Sequence, residues 1–160
     1  KNIFVYIICQ YNLPIMKDHQ YLRDQQLKEF VEKIFTTYRE TFSDAKNILD
    51  KYSLGIAHHK VLHLVSLYEG ITISKLLKKL KVTKQSLNRV LKDLIELETI
   101  IFKKDKKDSR IKHVYLSEKG LKLFNEIFSK QKRRIYKALI NSNSKEVLYF
   151  NNILNKLIDE

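Results

Sequence analysis

Residues 71–97 read ITISKLLKKLKVTKQSLNRVLKDLIEL, and the fold turns on how they are parsed. Thr72 is placed to cap a short helix running to Leu80, with Leu76, Leu77 and Leu80 on its inward side. Lys81-Val82 leaves room for a tight connector only. Thr83 then caps a longer helix in which Leu87, Val90, Leu91, Leu94 and Leu97 recur at three- and four-residue steps. A short helix, a brief turn and a longer amphipathic helix make the helix-turn-helix pattern. Ile100-Ile101-Phe102 follows as a strand, residues 103–110 as a hairpin tip, and residues 111–116 as the returning strand. The tip has no glycine, so a loop longer than a two-residue turn is expected.

The flanks are helical in period. From about residue 20, Leu27, Phe30, Val31, Ile34, Phe35, Tyr38 and Phe42 form one apolar stripe. Ser43-Asp44 breaks or kinks it, and Ile48 and Leu49 continue it. Ser53-Leu54-Gly55 is a turn, and a helix over about 57–69 is stopped by Gly70. Beyond Ser117, Leu121, Phe124, Ile127 and Phe128 share one side, extended by Ile135, Leu139 and Ile140. Asn141–Ser144 is a loop, with Ser144 expected to cap a last helix carrying Val147, Leu148, Phe150, Leu154, Leu157 and Ile158.

The expected fold is therefore mainly α: a winged helix-turn-helix with a two-stranded β wing, plus N- and C-terminal dimerisation helices. The expected boundaries are 1–15 for an N-terminal extension, 16–55 for the N-terminal dimerisation helix, 56–117 for the winged helix-turn-helix and 118–160 for the C-terminal helices. The outer helices carry more apolar surface than one winged domain can cover, which predicts a homodimer. Met16, the one methionine, precedes a hydrophilic stretch with the character of a protein start. Residues 1–15 thus read either as an upstream extension or as an arm packed on the body.

Composition points to a polyanionic partner. A hydrophobic share of 44% excludes a disordered chain, and three Gly and one Pro suit a helical one. The net charge is +13. Between residues 72 and 112 stand thirteen Lys or Arg against five Asp or Glu, so +8 of that charge sits in about a quarter of the chain. Nucleic acid is the first partner such an excess favours, an anionic membrane the second.

On the tip, Lys103, Lys104, Lys106 and Lys107 suit phosphates, and Arg110 suits a narrow minor groove. Asp108, two residues before Arg110 in an extended strand and hence on the same face, is placed to pair with a neighbouring basic side chain and hold the tip in shape. On the longer helix, Lys84, Gln85, Ser86, Asn88 and Arg89 lie at the end that normally meets base edges. Gln85 and Asn88 match adenine, and Arg89 suits guanine or a phosphate. The bland alternative is a solvated lysine loop beside an ordinary polar helix face.

Other chemistry is poorly supported. Cys9 stands alone, which excludes an intrachain disulfide and a cysteine-based zinc site. A redox role for Cys9 rests on one thiol. His59 and His63 are four residues apart on one helical face, but the favoured reading of His58, His59 and His63 is helix-start and surface histidines. No phosphate loop, nucleophile elbow or zinc-protease motif occurs, so neither an enzyme nor a cofactor is expected. No apolar run approaches a membrane span, and a cytoplasmic location is expected.

These residues resemble the winged helix-turn-helix of MarR-family transcriptional regulators. The likeness lies in VTKQSLNRVLKDL (82–94), in Asp108-Ser109-Arg110 of the wing, and in Val114 to Gly120 leading into the next helix. It implies a homodimer with interlocked terminal helices, a pseudo-palindromic double-stranded operator, and DNA contacts from Arg110, the wing lysines and Lys84 to Arg89. It also implies a small aromatic or anionic effector between the dimer helices and the winged domain. Two departures stand out: Glu98-Thr99 occupies a place where the family usually has glycine, and the wing is rich in lysine.

The function expected is sequence-specific binding of double-stranded DNA, as a homodimeric repressor released by a ligand or other signal. An architectural, nucleoid-type DNA binder is the alternative. A winged module that binds protein instead of DNA is a second rival, against which the wing lysines argue.

Overall fold

The computed structural model describes residues 20–158. The readings of residues 1–15, Cys9 and Met16 lie outside them. The chain divides into two units, residues 1–40 and 41–160. In the first, a 3₁₀ turn, Gln20–Leu22, precedes the start of α1, Asp24–Ser43. No α1 residue is buried, and the stripe from Leu27 to Tyr38 faces solvent along its length.

The second unit continues through α2 (Lys46–Lys51), α3 (Ile56–Leu67), β1 (Ile71–Thr72), α4 (Ile73–Leu80) and α5 (Lys84–Glu96). Then come β2 (Ile100–Lys104), β3 (Lys112–Leu116), α6 (Glu118–Ile140) and α7 (Ser144–Ile158). Leu87, Leu91 and Leu94 of α5 pack with Val61, Leu62 and Val65 of α3, Leu76 of α4, and Leu123, Phe124 and Ile127 of α6. Leucines at i, i+4 and i+7 can reach one core only from a helix, so packing and period agree.

The Thr72 and Thr83 caps fall where the sequence predicts, and Ser117, expected only to precede the next helix, caps it as well. Thr72 accepts from the Lys75 N–H at 3.3 Å, Thr83 from the Ser86 N–H at 3.2 Å, and Ser117 from the Gly120 N–H at 2.9 Å. Between α4 and α5, Lys81 takes a left-handed φ of 51°.

Four local expectations need correction. The sheet has three antiparallel strands in the order β1-β3-β2, because Ile71 and Thr72 pair with Val114 and His113. The last helix is capped by Asn143, whose side chain accepts from Glu146 while Glu146 accepts from the Asn143 N–H, both at 2.9 Å. Leu121 is exposed and Leu123 buried, since the inward face of α6 runs through Gly120, Leu123, Phe124, Ile127 and Gln131. Asp108 and Arg110 lie in the turn between the wing strands, not in extended backbone.

The helix-to-wing junction explains the missing glycine. Glu98 has φ 56°, its N–H donates to the Ile95 carbonyl at 2.8 Å, and the Thr99 N–H reaches the Leu94 carbonyl at 2.9 Å. That is the Schellman closure, with glutamate in the position glycine fills most cheaply.

Candidate nucleic-acid interface

Helix α5 buries its leucine stripe, so its polar residues face outward by necessity of period. Lys84, Gln85, Ser86, Asn88 and Arg89 are all exposed at its N-terminal half. The Thr83 hydroxyl, besides capping the helix, donates to Ser86 Oγ at 2.9 Å. At the buried edge, His58 binds the start of α3 to α5. Its Nδ1 accepts from the Gly55 N–H at 3.1 Å, which leaves Nε2 to donate to Asp93 at 2.9 Å.

The wing is a hairpin whose strands pair in register from Ile100↔Leu116 to Lys104↔Lys112. Lys103, Lys104, Lys106, Lys107 and Arg110 are exposed on it. Lys103 lies over the Tyr115 ring at 4.6 Å on one face of the hairpin and Lys112 over Phe102 at 5.8 Å on the other, so a lysine covers an aromatic ring on each face.

Carboxylates organise the tip. Asp105 Oδ1 accepts from the Lys107 N–H at 2.8 Å and the Asp108 N–H at 3.1 Å. Asp108 Oδ1 accepts from the Arg110 N–H at 3.0 Å and from its Nε at 3.1 Å, while Nη2 reaches Oδ2 at 3.3 Å. Two backbone bonds beyond the ladder close the turn, from Asp105 N–H to the Ile111 carbonyl and from Ile111 N–H to the Asp108 carbonyl. These donors favour charged carboxylates: the His113 contact foremost holds Asp105 below the usual range, and the Arg110 side chain does so for Asp108.

His113 joins the tip to the body. One ring nitrogen lies 2.7 Å from the Gly70 carbonyl and the other 2.9 Å from Asp105 Oδ2. These contacts, the carbonyl first, push the imidazole above its ordinary value. The sequence reading gave His113 no role, because its partners lie 43 and 8 residues away.

A second site opens within the same unit, a cavity of about 420 Å³ lined by Phe42, His59, His63, Lys79, Phe128 and Gln131, among others. His59 corrects the surface-histidine reading. It is 2% exposed, meets the Phe42 ring edge-on at 5.1 Å, and its Nδ1 has no protein partner. Burial first, then the neighbouring His63, holds His59 below its ordinary pKa. His63 is exposed, as the surface reading expects, and partial desolvation beside the cavity lowers it too. Gln131, also buried, donates to the Thr41 carbonyl at 3.0 Å. Beside it, Arg134 grips Asp44 with two bonds of 2.6 and 2.8 Å. Among the described residues no group of three His, Cys, Asp or Glu is placed to hold a metal, and no helix is long and apolar enough to cross a membrane.

A helix-turn-helix followed by a basic hairpin defines a winged-helix DNA-binding protein. The chain belongs to the MarR family of helix-turn-helix transcriptional regulators: the family's sequence model matches residues 52–111. Over 139 residues it is 35% identical to the HTH-type transcriptional regulator PetP of Rhodobacter capsulatus, which covers 87% of this chain and 84% of that protein. Two solved structures share the fold. Staphylococcus aureus MarR in complex with salicylate and kanamycin has a TM-score of 0.65 and 22% identity, over 85% of this chain and 92% of that one. A mutant of S. aureus MepR bound to an oligodeoxyribonucleotide has a TM-score of 0.56 and 18% identity, over 82% and 96%.

Proposed function

We propose that this regulator binds double-stranded DNA sequence-specifically as a homodimer and represses transcription until a ligand releases it. The observation that carries the DNA reading is the coincidence of charge and exposure: the basic residues of α5 and the wing all face solvent, while Leu87, Leu91 and Leu94 of α5 and Ile100 and Val114 of the strands are packed in the core. In this reading Lys84, Gln85, Ser86, Asn88 and Arg89 meet the major groove. Lys103, Lys104, Lys106 and Lys107 neutralise flanking phosphates, and Arg110, oriented by Asp108, enters the minor groove. The MepR mutant bound to an oligodeoxyribonucleotide supports the use of this fold on DNA.

The division of labour follows. Residues 56–117 bind DNA, while 16–55 and 118–160 dimerise. Neither α1 nor α7 has a buried residue, yet each carries an apolar face that water disfavours. Two copies then present two α5 helices to a pseudo-palindromic operator. The cavity at His59 is the place for a small aromatic or anionic effector: it offers aromatic walls, an unpartnered ring nitrogen and the Lys79 ammonium. A salicylate-bound MarR with this fold favours that class.

Lysine enrichment of the wing favours one rival, an architectural binder indifferent to sequence. Selection of bound fragments from random duplexes separates the two. A regulator enriches a two-fold symmetric motif and binds it on the order of 10³-fold or more above random DNA. Equal retention of all sequences, with a steep salt slope, would establish the architectural reading instead.

A further inference from the structure

We propose that His113 is the positioning residue of the wing: as an imidazolium it donates from both ring nitrogens, to the Gly70 carbonyl and the Asp105 carboxylate, and so fixes the tip for DNA only while the ring keeps its proton. The proposal rests on the wing being a DNA contact, as above, for its functional half alone. Its structural half concerns the free protein.

The geometry sets the protonation state. Both contacts are short, 2.7 and 2.9 Å, and each ends on an oxygen with no proton to give at neutral pH: a backbone carbonyl and a carboxylate. A neutral imidazole carries one N–H. It can satisfy one of these oxygens and must turn a lone pair on the other. Only the imidazolium serves both, and a charge-assisted bond to Asp105 strengthens the arrangement.

The surrounding groups fix the balance. Across β2, Lys103 is the register partner of His113, and its ammonium lies over the Tyr115 ring. Across β1, the partner is the neutral Thr72. Lys112 is the sequence neighbour on β3, and Lys75 of α4 opposes the ring's charge. The Gly70 carbonyl first, and then Asp105, the carboxylate in direct contact, outweigh desolvation and Lys75, so the ring's pKa is raised.

Losing the proton has a defined consequence. Asp105 holds the Lys107 and Asp108 amides through its other oxygen. Once the ring turns a lone pair toward Asp105 or Gly70, the carboxylate is no longer anchored to the body. The stretch Lys106 to Arg110 then depends on its own exposed bonds, which water competes for. Gly70 matters equally, because it immediately precedes β1 and α4. Through His113 the wing tip is registered against the segment that leads into the helix-turn-helix.

The test follows ring and tip separately from DNA. In the full-length free protein, the His113 ring nitrogens are observed by long-range ¹⁵N NMR, and the amides of Lys107, Asp108 and Arg110 by hydrogen exchange, from pH 5.5 to 9. Both ring nitrogens should be protonated at pH 6.5, with a midpoint above the ordinary histidine value of about 6.5. Amide protection at the tip should fall with the same midpoint. Asp105→Asn should lower the midpoint, and His113→Gln should abolish the pH dependence of protection. His59 and His63, held below the ordinary value, do not titrate in this upper window.

Affinity for a duplex selected by the wild-type protein is then measured from pH 6.5 to 8.5. Wild type should lose on the order of tenfold more than His113→Gln, because binding that needs the fixed tip favours the protonated ring. A midpoint at or below 6.5, or tip protection blind to the ring, overturns the latch. A latch that titrates while duplex affinity stays flat overturns its role on DNA. A wild-type protein that binds no duplex refutes the DNA reading, and the ring titration alone then decides the latch.

Discussion

Gly120→Ala gives the sharpest test of how the wing is mounted. Gly120 is the third residue of α6, and a methyl group built on it would sit 1.9 Å from the Thr99 carbonyl oxygen, with the carbonyl carbon at 2.8 Å. Ordinary contact begins near 3.4 Å, so backbone must move by about 1.5 Å. Thr99 cannot yield cheaply. It is 1% exposed, and both its N–H and its hydroxyl donate to the Leu94 carbonyl, at 2.9 and 2.8 Å. If α6 moves instead, Ser117 loses its N–H bond to Thr99 at 3.1 Å and its hydroxyl bond to the Glu98 carbonyl at 2.6 Å. Two hydrogen bonds at about 1 kcal/mol each, plus about 1–3 kcal/mol of overpacking, less about 1 kcal/mol for the better helix propensity of alanine, leave a loss of about 2–4 kcal/mol. Urea denaturation followed by circular dichroism reads this directly, with Lys119→Ala as the exposed control expected within about 0.5 kcal/mol. A Gly120→Ala loss below about 1 kcal/mol would refute the close approach of α6 to the base of the wing.

Glu98→Gly should stabilise by roughly 0.5–1 kcal/mol, because the left-handed strain it removes exceeds the extra chain entropy and the exposed Lys119 pair it forfeits; a lowered melting temperature contradicts this. Arg110→Ala should weaken binding of the selected duplex by about tenfold and reduce the salt slope by about 1 while leaving the oligomer intact; unchanged affinity removes the wing tip from the interface. Gln85→Ala and Asn88→Ala should relax base preference more than they lower affinity for random DNA, and an equal loss on every sequence argues against base readout. Stability should fall as pH drops through 6.5, because the depressed His59 binds fewer protons folded than unfolded: its contribution is present above the unfolded value and lost toward the folded one. His59→Gln should flatten that limb in denaturation curves, whereas an unchanged slope assigns it to another group.

Legibility from sequence followed the range of the interaction. The two threonine caps were readable because Thr72 and Thr83 each act on an amide three residues on. The leucine stripe of α5 was readable because helical period alone sets it. Strand β1 was not: two residues after a glycine acquire strand character only by pairing with Thr72↔His113 and Ile71↔Val114, over 40 positions away. The Ser144 cap failed because Asn143 competes for the same amides and is reinforced by Glu146. His59 failed for a related reason. Its neighbours in the chain look like a helix start, while its burial is imposed by Phe42 and Gln131 from distant helices.

The candidate site divides along the same line. The polar residues of α5 and the wing lysines are surface groups, so composition and period suffice to find them. What holds them in place is non-local: His58 on Asp93, His113 between Gly70 and Asp105, Gly120 under Thr99. The two shifted histidine environments pull stability in opposite directions. His59 contributes less as pH falls below 6.5, and His113, raised, contributes less as pH climbs through its folded value. The histidine contribution to stability therefore peaks near neutrality, and its two limbs have separate owners. The acid limb reports the cavity proposed for the effector, and the alkaline limb reports the mount of the wing. A denaturation profile in which His59→Gln and His113→Gln flatten the same limb would contradict that division, because neither ring has a contact through which it would titrate for the other.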